Sequence, residues 1–178
     1  MHIMIDIETM GTRPTAPIVS FGAVAFDADG IHKKFYRVVD LDSAVAAGAV
    51  IESGTVMWWL AQSDDARAAL TNDITEPLSD VLVAFHEFVS ALPGGPGAVR
   101  GVWGNGATFD NVLVAEAYKR LDMLVPWPFW KDRCYRTVKN MFPAVELIRE
   151  GTHHHALADA ETQALHLIEI SKLAEGLL

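Results

Sequence analysis

Apolar and polar residues change period several times along the chain, and each change marks an element. Residues His2 to Ile7 alternate around β-branched positions, the two-residue period of a strand. Ile18 to Asp27 (IVSFGAVAFD) and Ile31 to Val39 keep that period, and Asp29-Gly30 between them is a hairpin-turn signal. From Thr55 to Leu70 the spacing becomes helical. It breaks at Ser63, where a serine followed by two acids has the chemistry of an N-cap. Leu78 to Leu92 brings Val81, Leu82, Phe85, Phe88 and Val89 to one side of a helix. Pro93-Gly94-Gly95-Pro96-Gly97 reads as a surface loop, and Val99 to Trp103 as a short buried strand. Phe109 to Leu121, with Val112, Leu113, Ala115 and Ala117 at helical spacing, and Leu157 to Leu173 are the last two helices. A strand meander followed by helix, strand, helix and helix predicts an α/β mixed sheet with helices on both faces.

The 178 residues suit one compact domain, residues 1–178, with no internal repeat. Fourteen basic residues against 23 acidic ones give a net charge of −9. That excludes a protein held on nucleic acid by bulk positive charge, although carboxylates gathered around divalent cations would also make a chain acidic. Cys134 is the single cysteine, so no disulfide forms within the chain, and it reads as a small buried residue without chemistry. No apolar run reaches about 18 residues, and the N-terminus lacks the pattern of a secretory signal. The expectation is a cytoplasmic chain with no membrane partner.

Three segments carry candidate chemistry. In Ile5-Asp6-Ile7-Glu8-Thr9-Met10-Gly11, Asp6 and Glu8 are two apart on a strand and project from one face, unless Glu8 already belongs to the turn. Carboxylates among apolar neighbours are costly unless paired or metal-bound. In Trp103-Gly104-Asn105-Gly106-Ala107-Thr108-Phe109-Asp110-Asn111, a strand runs through a glycine-containing turn and Asp110 opens a helix. An acid there is also ordinary helix-dipole chemistry. In Thr152-His153-His154-His155-Ala156-Leu157-Ala158-Asp159, Asp159 begins the closing helix with His154 five residues earlier in a loop. Together these give four carboxylates and a histidine at the ends of three elements. Hard oxygen donors suit Mg²⁺ or Mn²⁺, and four carboxylates can hold two such ions about 3.5–4 Å apart for phosphodiester hydrolysis.

These residues resemble the motifs of the DnaQ-like, RNase T-like 3′–5′ exonuclease superfamily in its DEDDh form. There the first motif is D-x-E, the second gives one Asp and the third is H-x4-D, which match Asp6 and Glu8, Asp110, and His154 with Asp159. That spacing selects His154 over His153 and His155. The segments IDIETMG, IVSFGAVAFD, VMWWLAQSDDAR, WGNGATFDN, FWKDRCYRT and HHALADA are similar to the branch that holds the phage DexA exonuclease and a mycobacterial 3′–5′ exoribonuclease. Asn105 lies five residues before Asp110 instead of the superfamily's usual four, an arrangement the branch shares. The resemblance implies an RNase H-like mixed sheet and removal of nucleoside 5′-monophosphates from the 3′ end of single-stranded DNA or RNA. It implies two Mg²⁺ or Mn²⁺ ions on Asp6, Glu8, Asp110 and Asp159, with His154 as general base. It also implies contacts from Met10 and Gly11 to the terminal nucleotide, allows a phage origin, and makes a homodimer through the last helix a possibility. Hydrolysis of very short oligonucleotides, and a non-catalytic binding module of the same fold, are the alternatives.

Secondary candidates surround these motifs. Trp58 and Trp59 are adjacent on a helix, so one fills the core while the other faces outward, where it can stack a base. Gln62, one turn beyond Trp58, is a candidate for sugar or base contact, and Phe109 for lining the same pocket. Lys131, Arg133 and Arg136 are the densest basic cluster. Arg133 and Arg136 are candidate phosphate ligands, with a salt bridge to Asp132 as the plainer reading.

Overall fold

The fold is that of a computed structural model describing residues 1–68, 70, 74–149, 151, 154–174 and 176–178. Strands β1 (His2–Thr9), β2 (Ile18–Asp27) and β3 (Gly30–Val38) form the antiparallel meander that the alternation predicts. Glu8 belongs to β1 and not to the turn after it. Strands β4 (Val102–Gly104) and β5 (Asp132–Cys134) add in parallel on the other side of β1, giving the order β3-β2-β1-β4-β5. β1 is therefore central. Its carboxyl end lies beside that of β4, where the sheet changes from antiparallel to parallel, the place where open α/β sheets form their clefts.

Helix α1 (Leu41–Ala46) has only six residues, too few to show a period, and is started by Asp40, whose side chain accepts from the Asp42 N–H. The span from Thr55 divides at Ser63 into α2 (Ser53–Leu60) and α3 (Asp64–Ala68), and Ser63 Oγ accepts from the Ala66 N–H. Residue 69 of that span lies outside the described residues. α4 (Leu78–Ser90) follows, and then α5 (Gly95–Ala98), a short turn of helix inside the segment expected as loop. Pro96 at its start supplies the fixed φ that a first turn accepts. The chain continues through α6 (Asp110–Arg120), a 3₁₀ turn (Phe129–Lys131), α7 (Tyr135–Met141) and α8 (Ala156–Ser171).

Alternation along β1 divides the core in two. Ile3, Ile5 and Ile7 face α4 and α6, where they join Phe21, Leu82, Phe85, Leu113 and Val114. Met4 faces the other side with Val24, Phe26 and Trp103, against Tyr135 of α7 and Ala160, Ala164, Leu167 and Ile168 of α8. Burial on this scale stabilises by about 1.5–3 kcal/mol per large side chain. The apolar side of α8, the surface a homodimer could have used, is spent on this packing, and Leu165 is left exposed. Cys134 is half-exposed at the end of β5, not buried. No helix among the described residues is long and apolar enough to cross a membrane.

Candidate active site

Asp6 and Glu8 share the parity of Met4, so they continue its face of the sheet toward the carboxyl end of β1, and both are buried. Two glycines let the remaining acids approach. Gly22 pairs with Asp6 across β2, and a Cβ there would lie 2.3 Å from the Ala156 carbonyl carbon, so its absence lets the start of α8 rest on the sheet. Gly104 ends β4, and a Cβ there would stand 2.8 Å from that of Asp110, so the start of α6 comes equally close. Asp110 and Asp159 thus lie in first helical turns, where the partial positive charge of the helix end offsets part of their own.

The four acids and His154 line one cleft of about 210 Å³. Donor atoms of Glu8, His154 and Asp159 lie within 4.8 Å of one another. Burial pushes the Asp6 carboxyl well above its usual range, helped by the charges of Asp110, Glu8 and Asp159. Burial, then Asp159 and Asp110, raise Glu8 to about 8. Burial raises Asp110 to about 7, against backbone N–H groups and Arg136, which favour its charged form. Such a cluster is short of positive charge at neutral pH.

His154 has a left-handed backbone (φ 62°), rare for a residue with a side chain, and its N–H donates to Asp159 Oδ2 at 3.0 Å. Its ring meets Trp58 edge-on at 5.1 Å. The next residue, His155, caps α8 by accepting from the Ala158 N–H and stacks on Tyr36 at 4.5 Å. His153 lies outside the described residues.

A second cavity, of about 510 Å³, adjoins the cleft and shares Ile7, Glu8 and Phe109 with it; Thr9, Gly11, Thr12, Glu52, Trp58 and Trp59 also line it. The tryptophans divide as expected. Trp59 is 4% exposed, with its Nε1–H donating to the Thr9 carbonyl at 2.9 Å, whereas Trp58 is 44% exposed. Arg136 lines the cleft and donates to the Asn105 carbonyl at 2.6 Å.

Other candidates fall outside both cavities. Gln62 donates to the Trp58 carbonyl at the end of α2. Met10 spends its N–H on the Pro17 carbonyl and its carbonyl on the Glu52 N–H, so its backbone groups are already satisfied within the protein. Arg133 donates to the Trp130 and Asp132 carbonyls and borders a different depression with Trp103 and Cys134. Lys131 reaches the Gly97 carbonyl. Asp132 accepts from Asn111 and Trp127, the role the plainer reading had given to a salt bridge.

The cleft also holds residues that the motifs do not contain. Gln163 donates to Asp6 Oδ1 at 2.7 Å, Arg149 pairs with Asp159, and Lys139 stands one turn beyond Arg136. Gln163 lies four residues after Asp159 and so on the same helix face, a legible signal. Nothing in the sequence near Arg149 points to its place.

A mixed sheet with carboxylates gathered at the end of its central strand is here the site of a 3′–5′ exonuclease, an enzyme that acts on nucleic acid, and its donors suit divalent metal. The chain belongs to the family described as the 3′-5′ exoribonuclease Rv2179c-like domain, whose model matches residues 1–171. It is similar to the exodeoxyribonuclease of enterobacteria phage T4, with 26% identity over an alignment 176 positions long that covers 84% of this chain and 74% of the relative. Its fold matches the Escherichia coli exonuclease I–single-stranded DNA complex with a TM-score of 0.70 at 15% identity. That match covers 99% of this chain but 41% of exonuclease I, so the chain spans about two-fifths of that protein. The nuclease domain of 3′hExo, a DEDDh family member bound to rAMP, matches with a TM-score of 0.59 at 16% identity, over 98% of this chain and 92% of that one.

Proposed function

We propose that residues 1–178 form one exonuclease unit that takes the 3′ end of a single strand of RNA or DNA and releases nucleoside 5′-monophosphates. The observation that carries this reading is the shared wall of the two cavities. A terminal nucleoside held against Trp58 and Phe109 would present the phosphate on its 5′ side to the carboxylates across Glu8. Glu52 supports the sugar assignment: it accepts from the Arg13 N–H and the Thr12 hydroxyl, and a carboxylate keeps further lone pairs for a sugar O–H.

Asp6, Glu8, Asp110 and Asp159 are the residues proposed to hold two Mg²⁺ or Mn²⁺ ions. Their fit is chemical: an all-oxygen donor set whose charged forms are disfavoured by burial, beside a buried Gln163 Oε1 that lacks a hydrogen-bond partner among the described residues. Bound divalent ions would lower the pKa of water and neutralise charge on the phosphoryl group. His154 is the proposed general base and takes the proton of the attacking water. The water oxygen bonds to phosphorus as the bond to the departing 3′ oxygen breaks, and that oxygen takes a proton from solvent. Arg136 and the starts of α6 and α8 add positive potential around the phosphate. We place the enzyme in the cytoplasm, and the likeness to the phage T4 protein supports a phage-encoded origin. Dimerisation would need a surface other than the sheet-facing side of α8.

The test is incubation with 5′-labelled single-stranded RNA and DNA in Mg²⁺, Mn²⁺ or EDTA, beside Asp110→Asn. A metal-dependent ladder shortening from the 3′ end, absent in the variant, is expected. Cleavage confined to dinucleotides would replace this reading with a short-oligonucleotide hydrolase, and no cleavage at all with a binding module.

A further inference from the structure

We propose that Arg149 has two successive partners: it holds Asp159 while that carboxylate has no metal ion, and turns to a substrate phosphate once divalent ions bind. The inference rests on the assignment of Asp159 as a metal ligand made above.

Each oxygen of Asp159 accepts one hydrogen bond. Oδ1 accepts from Arg149 Nη1, and Oδ2 from the His154 N–H at 3.0 Å. Each oxygen keeps a further lone pair, but an ion on Oδ1 would sit beside the Arg149 guanidinium, and the like charges oppose that contact. The His154 N–H is backbone, fixed by the chain entering α8. Arg149 belongs to the irregular connection between α7 and α8, and 41% of its side chain is exposed against 11% for Asp159. Its guanidinium is thus already partly hydrated, and a pair of that kind is weak enough for a divalent cation to displace.

The released guanidinium would stay at the cleft. Arg149 lines it together with Arg136 and Lys139, so three cations converge there in a chain of net charge −9. Of the two arginines, Arg136 is tied to the Asn105 carbonyl, a contact that no metal ion would contest. Arg149 is hydrogen-bonded to an acid that an ion would claim, whereas Arg136 acts on Asp110 through charge and keeps its hydrogen bond to the Asn105 carbonyl. Its planar fork of donors matches two phosphate oxygens as well as it matches a carboxylate. Metal and substrate binding are then linked in both directions, since an ion frees the group that the phosphate needs and a phosphate frees the carboxylate that the ion needs.

The test is Mn²⁺ titration without nucleic acid, read by the electron paramagnetic resonance of free Mn²⁺, on the wild-type chain and Arg149→Gln. It is paired with steady-state cleavage of a labelled single strand. Removing the competitor should tighten Mn²⁺ binding about three- to tenfold, and this gain should vanish in an Asp159→Asn background. KM for the strand should rise about tenfold with kcat changed less than about threefold. Arg149→Lys keeps the charge without the fork. It should bind Mn²⁺ near the wild-type level while leaving KM raised, and Arg149→Ala carries the Mn²⁺ titration if Arg149→Gln does not fold. Unchanged or weaker Mn²⁺ binding in Arg149→Gln, or an unchanged KM, overturns the proposal. Failure of the wild-type chain to shorten any strand would instead overturn the exonuclease reading, while the Mn²⁺ titration would still report on Arg149 and Asp159.

Discussion

Replacing Glu8 with glutamine should make the metal-free protein more stable at pH 8 and leave it nearly unchanged at pH 5. Burial raises the Glu8 carboxyl from 4.5 to about 8, so the folded chain holds this proton more tightly than the unfolded one. Stability is therefore fully present below about pH 4.5 and is lost as pH climbs to about 8. At about 1.4 kcal/mol per pH unit, the whole span is on the order of 5 kcal/mol. Water entering the open cleft and relaxation of neighbouring side chains reduce this to about 2 kcal/mol. Glutamine has nothing to ionise and escapes the loss. In a chain of this size 2 kcal/mol corresponds to a rise in Tm of about 4–8 °C. The assay is calorimetric melting in EDTA at both pH values, repeated with Mn²⁺. Binding to the intact carboxylate cluster should then reverse the order and leave the wild-type chain the more stable. An equal shift at both pH values, or a lower Tm for the variant at pH 8 in EDTA, would refute the claim that the cluster is under electrostatic stress.

Gly22→Ala puts a methyl group 2.3 Å from the backbone of Ala156, so it should cost about 1–3 kcal/mol and push α8 with Asp159 off the sheet. Melting and kcat should fall together, and a variant with normal kcat would contradict the role given to this contact. Trp58→Ala should raise KM about tenfold or more, from the loss of about 1–3 kcal/mol of base stacking, with little change in Tm. Trp59→Ala should instead destabilise by about 3–5 kcal/mol, because that ring is buried; parallel melting and Michaelis–Menten curves separate the two. Nucleic-acid binding, followed by fluorescence anisotropy, should weaken at least about tenfold in EDTA, since the four acids of the cleft would then face the phosphate with no ions between them.

What was legible in the sequence follows from range. β1 to β3 and the helices around Leu78, Asp110 and Asp159 carry their period over enough residues to be read directly, and D-x-E with H-x4-D points to acids that the fold brings to one cleft. β5 has three residues, two of them charged, so no alternation could reveal it. Without β5 the placement of α7, and of Arg136 and Lys139 on it, stayed hidden. Grouping Lys131, Arg133 and Arg136 by closeness in sequence failed for the same reason, because the 3₁₀ turn and β5 carry the first two away from the cleft before α7 brings the third to it. Met10 and Gln62 were assigned from motif and neighbourhood, yet their polar groups are used within the fold. The contact of Gln163 with Asp6 spans 157 residues, and only the folded chain displays it.

The division of the site between the first strand and the last helix has a consequence for synthesis. Asp6 and Glu8 leave the ribosome well before Asp159, Gln163 and the cover that α8 lays over β1 and β2. A chain that ends, or is cut, in the α7–α8 connection would expose Asp6, Glu8 and Asp110 without Asp159. Such a chain would lack one of the four acids proposed to hold the ions, and the proposed activity would appear only when the closing helix docks.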